Sequence, residues 1–366
     1  MKVPALDLQA QYSAIKPSID GAVARVLESG RFILGPEVTQ CEEQIAAFTR
    51  SAYACGVSSG TDALLMSLLA EGIGKGDEVI TTPFTFVATA EAIVRSGATP
   101  VFADIDPESF TLDPQEVGKA MTSRTKAIIP VHLYGQMADM PRLLGVAETR
   151  RIPVIEDAAQ AMGAMLSGKA AGTLGTYGCY SFFPSKNLGC AGDGGMVLTQ
   201  NPDQLERLRA LRVHGMPDHQ TALLHGGNWR LDSMQAAILS AKLPHLMSWI
   251  LARFVRAERY YELLGSSEDI VLPSRLWGEH AWNQYVVRVP NRDAVHAYMQ
   301  EQGIDCRIYY PVPLHMQPVF ASLGYKEGDF PHAEKAAQQV LSLPLYPEMT
   351  DDQQEYVAQT LLNYFR

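Results

Sequence analysis

One lysine, Lys186, stands in the stretch YSFFPSKNLGCAGDGGMVLT (180–199), among aromatic, small and glycine residues that lead into an apparent strand. Burial there would lower its pKa and leave a neutral amine able to attack a carbonyl carbon. The plain alternative is a solvated surface charge, the usual state of a lone lysine. In IPVIEDAAQAMG (152–163) an apolar strand delivers Asp157 to the edge where α/β folds bind ligands. A carboxylate at that edge can keep a pyridine nitrogen protonated, which makes the ring a better electron sink. Gln160, three residues on, could reach the same ring, whereas a helix N-cap is the competing reading of Asp157. A third cluster, VSSGTDALLMSLLA (57–70), runs small residues directly into an amphipathic helix. The N–H groups of Gly60 and Thr61, with the Thr61 hydroxyl, would face an anion such as phosphate at the helix start. Alternatively Ser59 or Thr61 simply caps the helix.

Elements that could position these residues recur along the chain. Short apolar runs at 78–81, 99–105, 125–133, 152–157 and 195–199 alternate with helical patterns at 15–29, 38–48, 62–70, 88–95, 114–120, 140–149 and 203–211. This alternation marks an α/β fold, a mostly parallel central sheet with helices on both faces. From about Leu231 the texture changes to a long helical pattern, interrupted near Pro244, where the proline ring disrupts an interior hydrogen bond. After this connector come strand-like segments at 281–289 and 306–310, a helix over 292–302 and a terminal helix from Asp351. The expected division is a large domain, 1–240, and a smaller C-terminal α+β domain, 241–366.

Bulk properties narrow the function. At 366 residues and 47% apolar composition the chain can bury a substantial site between domains. A net charge of -10 and a pI near 5.4 argue against a broad nucleic-acid surface. Five cysteines without close pairing speak against a disulfide framework or a zinc ribbon, so buried free thiols and no bound metal are expected. Neither a signal peptide nor an apolar stretch of roughly 20 residues is visible, so a cytoplasmic location without membrane attachment is expected.

The order SSGTDAL, PFTFVAT (83–89), EDAAQ, SFFPSKNLG, GDGG and GGNWRLDSMQAAIL resembles the DegT-type sugar aminotransferases, which have the aspartate-aminotransferase fold (fold type I). The likeness runs from ALDLQAQY through FILGPEV (32–38) to YYPVPLHMQP (309–318). It implies pyridoxal 5'-phosphate (PLP) as cofactor, L-glutamate as amino donor and a homodimer with shared active sites. Lys186 matches the lysine that carries PLP as a Schiff base, Asp157 the partner of the pyridine nitrogen and Gln160 the contact near its phenolic oxygen. Phe86 matches the stacking aromatic, with core packing as its bland reading. Gly60, Thr61 and Ser181 match phosphate contacts, and Asn228 a phosphate contact supplied by the neighbouring subunit. Family members with His in place of the lysine are dehydratases, so Lys186 favours transamination. SFFPSKNLGCAGDGG resembles the branch that aminates C-3 of keto nucleotide sugars, with a 4-keto sugar or a regulatory, non-catalytic role as alternatives. Arg230 could bind a sugar carboxylate or diphosphate, or pair with Asp232. Phe32, Tyr309, Tyr310 and His315 are the remaining substrate-contact candidates; relatives often place His–Tyr at 309–310.

Overall fold

A computed structural model of the chain describes residues 1–366 apart from 217–219, 275 and 277. The N-terminal part contains α1 (Leu8–Ser29), α2 (Pro36–Thr49), β1 (Tyr53–Val57), α3 (Gly60–Ala70), β2 (Glu78–Thr81), α4 (Ala88–Ser96), β3 (Thr99–Phe102), α5 (Pro114–Ala120), β4 (Thr125–Ile129) and α6 (Met140–Glu148). It continues through β5 (Ile155–Asp157), the short ribbon β6 (Met165–Leu166) and β7 (Lys169–Ala170), β8 (Tyr177–Ser181), β9 (Gly195–Thr199) and α7 (Pro202–Leu211). The remainder is α8 (Ser233–Lys242), α9 (Leu246–Leu264), β10 (Tyr285–Arg288), α10 (Arg292–Glu301), α11 (Pro331–Gln339), β11 (Val340–Leu343) and α12 (Asp351–Tyr364).

The strands are ordered β3-β2-β4 on one side, all parallel, and β1-β9-β8-β5 on the other, where β8 and β5 are parallel. The two halves merge through parallel bridges at Ile128–Val154 and Val131–Asp157. Among these strands β9 alone runs against the rest, pairing antiparallel with both β8 and β1. The chain thus has the mostly parallel α/β sheet expected from the alternation of its segments. Neighbouring residues point to opposite faces: Ala54, Ile128, Met196 and Leu198 join one apolar cluster with α2 and α6, while Cys55, Ala127, Ile129 and Val197 join another with α3 and α7. A third cluster gathers Val3 with residues of α9, β10, α10, β11 and α12.

Some elements differ from the sequence expectation for identifiable reasons. β1 (YACGV) and β8 (YGCYS) are strands whose glycine and cysteine content conceals them. Gly178 is required by close packing, since a Cβ there would lie 2.0 Å from the Gly172 carbonyl oxygen. The segment 306–310 makes only a single bridge, Arg307 to Ser342, before the chain turns through Pro311 and Pro313. The helix starting the chain begins at Leu8, capped by the Asp7 carboxylate, and Ile15 kinks it just before Pro17. Pro244 does divide the connector, placing one 3-10 turn, Leu243–His245, between α8 and α9. All five cysteines are buried and free, and no described helix is long and apolar enough to cross a membrane.

A buried ionic knot ties the sheet where β4 and β5 end. Glu156 and His132 are wholly buried, with Nε2 of the imidazole 2.8 Å from the carboxylate. The Ala138 N–H donates to Nδ1 at 3.1 Å, which leaves the ring proton on Nε2 to be given to Glu156. The same carboxylate accepts from the N–H groups of Gly172, Leu174 and Gly175 at 2.8, 2.7 and 2.6 Å. Replacing Glu156 by Leu strands all of these donors without an acceptor. The expected cost is more than about 3 kcal/mol of stability, read as a lower urea midpoint.

Candidate active site

The chemistry-bearing residues converge at the carboxyl ends of the strands, where an α/β sheet leaves backbone groups unpaired. β1 runs into Ser59 and the first turn of α3, β5 ends on Asp157, and β8 ends on Ser181. Ser59 is the cap of α3, its Oγ accepting from the Asp62 N–H at 3.1 Å. The capping reading therefore holds for Ser59 and leaves Thr61 free, whose hydroxyl makes no hydrogen bond among the described residues. Gly60 sits against Ser181 so closely that a Cβ would come within 2.7 Å of the serine Cβ. Glycine at 60 thus brings the positive end of a helix onto a serine hydroxyl.

The Lys186 segment is a tight turn. Phe182 N–H donates to Gly194 at 2.8 Å, Lys186 N–H to Phe183 at 2.9 Å and Cys190 N–H to Phe182 at 2.7 Å. A Cβ on Gly189 would fall 2.5 Å from the Pro184 carbonyl oxygen. The half-buried Lys186 Nζ has no hydrogen-bond or ion-pair partner among the described residues. Burial pushes its amine down to about 8, and the Asp157 charge opposes that fall.

Asp157 is buried, and burial raises its carboxyl above the ordinary range. The Thr89 hydroxyl on Oδ2 at 2.7 Å, the Ala159 N–H on Oδ1 at 3.2 Å, and the charges of Lys186 and His132 pull it back down. Asp157 caps no helix; its bond to Ala159 is a local turn of the kind aspartate often makes. Gln160 accepts from the Tyr134 N–H at 2.7 Å and donates to the Tyr310 hydroxyl at 3.1 Å, while the Tyr134 hydroxyl donates to the Tyr309 carbonyl. Phe86 is 56% exposed, its ring 6.1 Å from that of Tyr310, so it is no core residue. A cleft of about 320 Å³ beside this group is lined by Ser185, Tyr309, Asn283, Arg253 and Arg307.

Other candidates lie on or beside the segment that pairs with the end of β1. Ser58 N–H donates to Trp229 at 3.0 Å, Val57 bridges Arg230, and Ser233 N–H donates to Phe32 at 3.0 Å. Phe32 and Asn228 are exposed, and Arg230, half-buried, makes no ion pair with Asp232 or any other described acid. His315 is buried: Nε2 lies 3.0 Å from Glu334, the ring packs 4.8 Å from Phe330, and Nδ1 has no hydrogen-bond partner among the described residues. Sequence reasoning missed Thr89, the last residue of the PFTFVAT motif, and Tyr134, which carries no motif at all.

The sequence profile of the DegT/DnrJ/EryC1/StrS aminotransferase family matches residues 13–362. A Geobacillus stearothermophilus protein named "Pleiotropic regulatory protein" is 51% identical, over 100% of this chain and 99% of its own. The Streptomyces venezuelae dTDP-3-amino-3,4,6-trideoxy-alpha-D-glucose transaminase is 44% identical, over 95% of this chain and 92% of its own. The crystal structure of S. venezuelae DesV in complex with a ketimine intermediate superposes with a TM-score of 0.97 at 42% identity, covering 99% of this chain and 98% of that one.

The depressed amine gives a direct expectation. In competitive acylation of the cofactor-free chain, Lys186 should titrate near 8, in contrast to surface lysines near 10.5. Asp157→Asn should lower that midpoint further, because it removes the negative charge that favours the ammonium form. A Lys186 midpoint among those of the surface lysines would contradict the site electrostatics.

Proposed function

This chain belongs to the DegT/DnrJ/EryC1/StrS aminotransferase family, and from that premise we propose that it moves an amino group from L-glutamate to C-3 of a keto nucleotide sugar, with Lys186 and Asp157 as its catalytic residues. It is a PLP-dependent aminotransferase. The single observation that carries the residue assignment is the pairing of an unpartnered amine held near 8 with a buried carboxylate at the same sheet edge.

The residues fit the cofactor. The N-terminal N–H groups at Gly60 and Thr61, the Thr61 hydroxyl and Ser181 make a small cradle for a phosphate, packed too tightly for any residue but glycine at 60. Asp157 would hold the ring nitrogen protonated, Gln160 would reach the ring's oxygen edge, and the open ring of Phe86 offers a stacking face. When bound, PLP supplies the electron sink that makes the donor's Cα–H acidic. Lys186 Nζ would form the covalent link to the carbonyl carbon. Once released by the incoming amine, it would carry a proton between the donor Cα and the cofactor C4′, acting as nucleophile and base in turn. With the keto sugar as acceptor, Lys186 would move the proton in the opposite direction, from the cofactor C4′ to the sugar carbon. Tyr309, which lines the cleft with Arg253, Arg307 and Asp305, and Tyr310 beside it would meet the sugar nucleotide, with Arg230 and Phe32 on the side nearest Asn228.

A homodimer completes this reading. The exposed apolar side chains of Phe32, Ile33, Phe86 and Phe183 leave the site uncovered in one chain, and the exposed Asn228 side chain makes no hydrogen bond among the described residues. A second subunit covering that edge would bring Asn228 to the neighbouring phosphate.

The 44%-identical transaminase is named for a 3-amino product, which supports C-3 over C-4. The expected product of a reaction with UDP- or dTDP-linked 3-keto sugars is a 3-amino sugar by NMR, and a 4-amino product would overturn the position. The name of the 51%-identical relative suggests regulation; release of 2-oxoglutarate on adding glutamate distinguishes turnover from binding alone.

The shared site is tested with Lys186→Ala and Asn228→Asp, each severely impaired alone. The second sets a like charge against the phosphate. After mixing under mild denaturation and refolding, about half of the dimers are mixed and each has one intact site, so roughly a quarter of all sites should recover. Verified mixed dimers no more active than the separately treated variants would remove Asn228 from the neighbouring site.

A further inference from the structure

A buried carboxylate directed at a ligand is only as well placed as the donors that hold it. Asp157 has two such donors. The Ala159 N–H lies two residues along the chain and moves with Asp157 itself. The Thr89 hydroxyl comes from the first turn of α4, 2.7 Å from Oδ2 and sixty-eight residues away in sequence. Thr89 is 1% exposed, and its Oγ1 lies 3.2 Å from that of Thr85, which is 3% exposed.

The direction of this chain of hydroxyls follows from proton counting. An ionised carboxylate only accepts, so Thr89 must donate to it; a hydroxyl has one proton, so Thr85 must donate to Thr89. Branching at Cβ restricts the Thr89 side chain to few rotamers, which fixes where its oxygen lies.

We propose that Thr89, ordered by Thr85, is a positioning residue for transamination: it anchors Oδ2 of Asp157 and thereby turns the carboxylate toward the pyridine nitrogen. This rests on the role proposed above for Asp157. Of the influences that keep Asp157 ionised against burial, the Thr89 hydroxyl is the largest, ahead of the Ala159 N–H, Lys186 and His132. The remaining titratable groups that interact with the carboxylate are Cys179 and Tyr310, and burial pushes both upward, so neither brings charge at neutral pH. Removing the hydroxyl therefore raises the pH at which Asp157 loses its proton.

The test compares Thr89→Val, which keeps the shape and loses the hydroxyl, with Thr89→Ser, which keeps the hydroxyl. In the full-length chain without cofactor, carbon NMR of labelled aspartate, assigned with Asp157→Asn, reads the Asp157 midpoint directly. Thr89→Val should raise it by about one to two pH units, and Thr89→Ser should restore it. In the loaded enzyme the acid limb of the glutamate half-reaction should move up the pH scale in parallel, with kcat reduced and KM for glutamate little changed. A thermal melt checks that the valine variant is folded. An unmoved Asp157 midpoint in Thr89→Val overturns the inference whatever Asp157 does in the reaction. A moved midpoint with an unmoved half-reaction profile overturns the positioning role. If Asp157→Asn itself reacts at the normal rate, it is the active-site assignment that fails, and the titration still decides whether Thr89 governs Asp157.

Discussion

Desolvation acts on two opposite charges at one edge of the sheet, and the surrounding structure is arranged around that conflict. Burial drives the Asp157 carboxyl up and the Lys186 amine down, each toward its neutral form. For the proposed chemistry only one of these outcomes is useful. A neutral amine is a nucleophile, whereas a neutral carboxyl no longer holds a proton on a pyridine nitrogen. The structure treats the two groups differently in the matching way. Asp157 receives a hydroxyl, a backbone N–H and nearby positive charge, while the Lys186 amine has no hydrogen-bond partner among the described residues. The Glu156–His132 knot immediately beneath keeps the end of β5 in place, so these distances are set by the sheet rather than by a loop.

Much of the fold could be read from the chain because its strands obey simple rules. EVIT and GMVLT became β2 and β9 with the expected limits, and the Pro244 break appeared where a proline ring must end a helix. β1, at the end of its sheet, and β8 were hidden because strands buried on both faces need no alternation. Gly178 answers the close approach of the Gly172 backbone and Gly56 that of the Leu231 side chain, properties of the assembled structure that no local pattern carries.

The candidate site was legible where a residue type is unusual for its surroundings. A lysine in an apolar, glycine-rich turn and an aspartate ending an apolar strand stand out in one dimension. Thr89 does not, since a threonine near a helix start looks like any cap, and only the fold sets it beside Asp157. His315 shows a different limit: histidine in a proline-rich loop suggests ligand contact, and only the fold shows Glu334 and Phe330 packed against it. Type and spacing locate reactive groups; they do not tell which side of a wall a side chain occupies.

The reversed strand β9 has a consequence for how the protein is made. β1, near the start of the chain, pairs only with β9, so Tyr53 waits for Thr199 and Gly60 for Ser181. Contacts so distant in sequence require a large loop to close before they return any stabilisation, which slows folding. During synthesis the helix start that faces Ser181 has no partner until about half of the chain has been made. A ligand that binds across these strand ends therefore stabilises the finished sheet but cannot nucleate it.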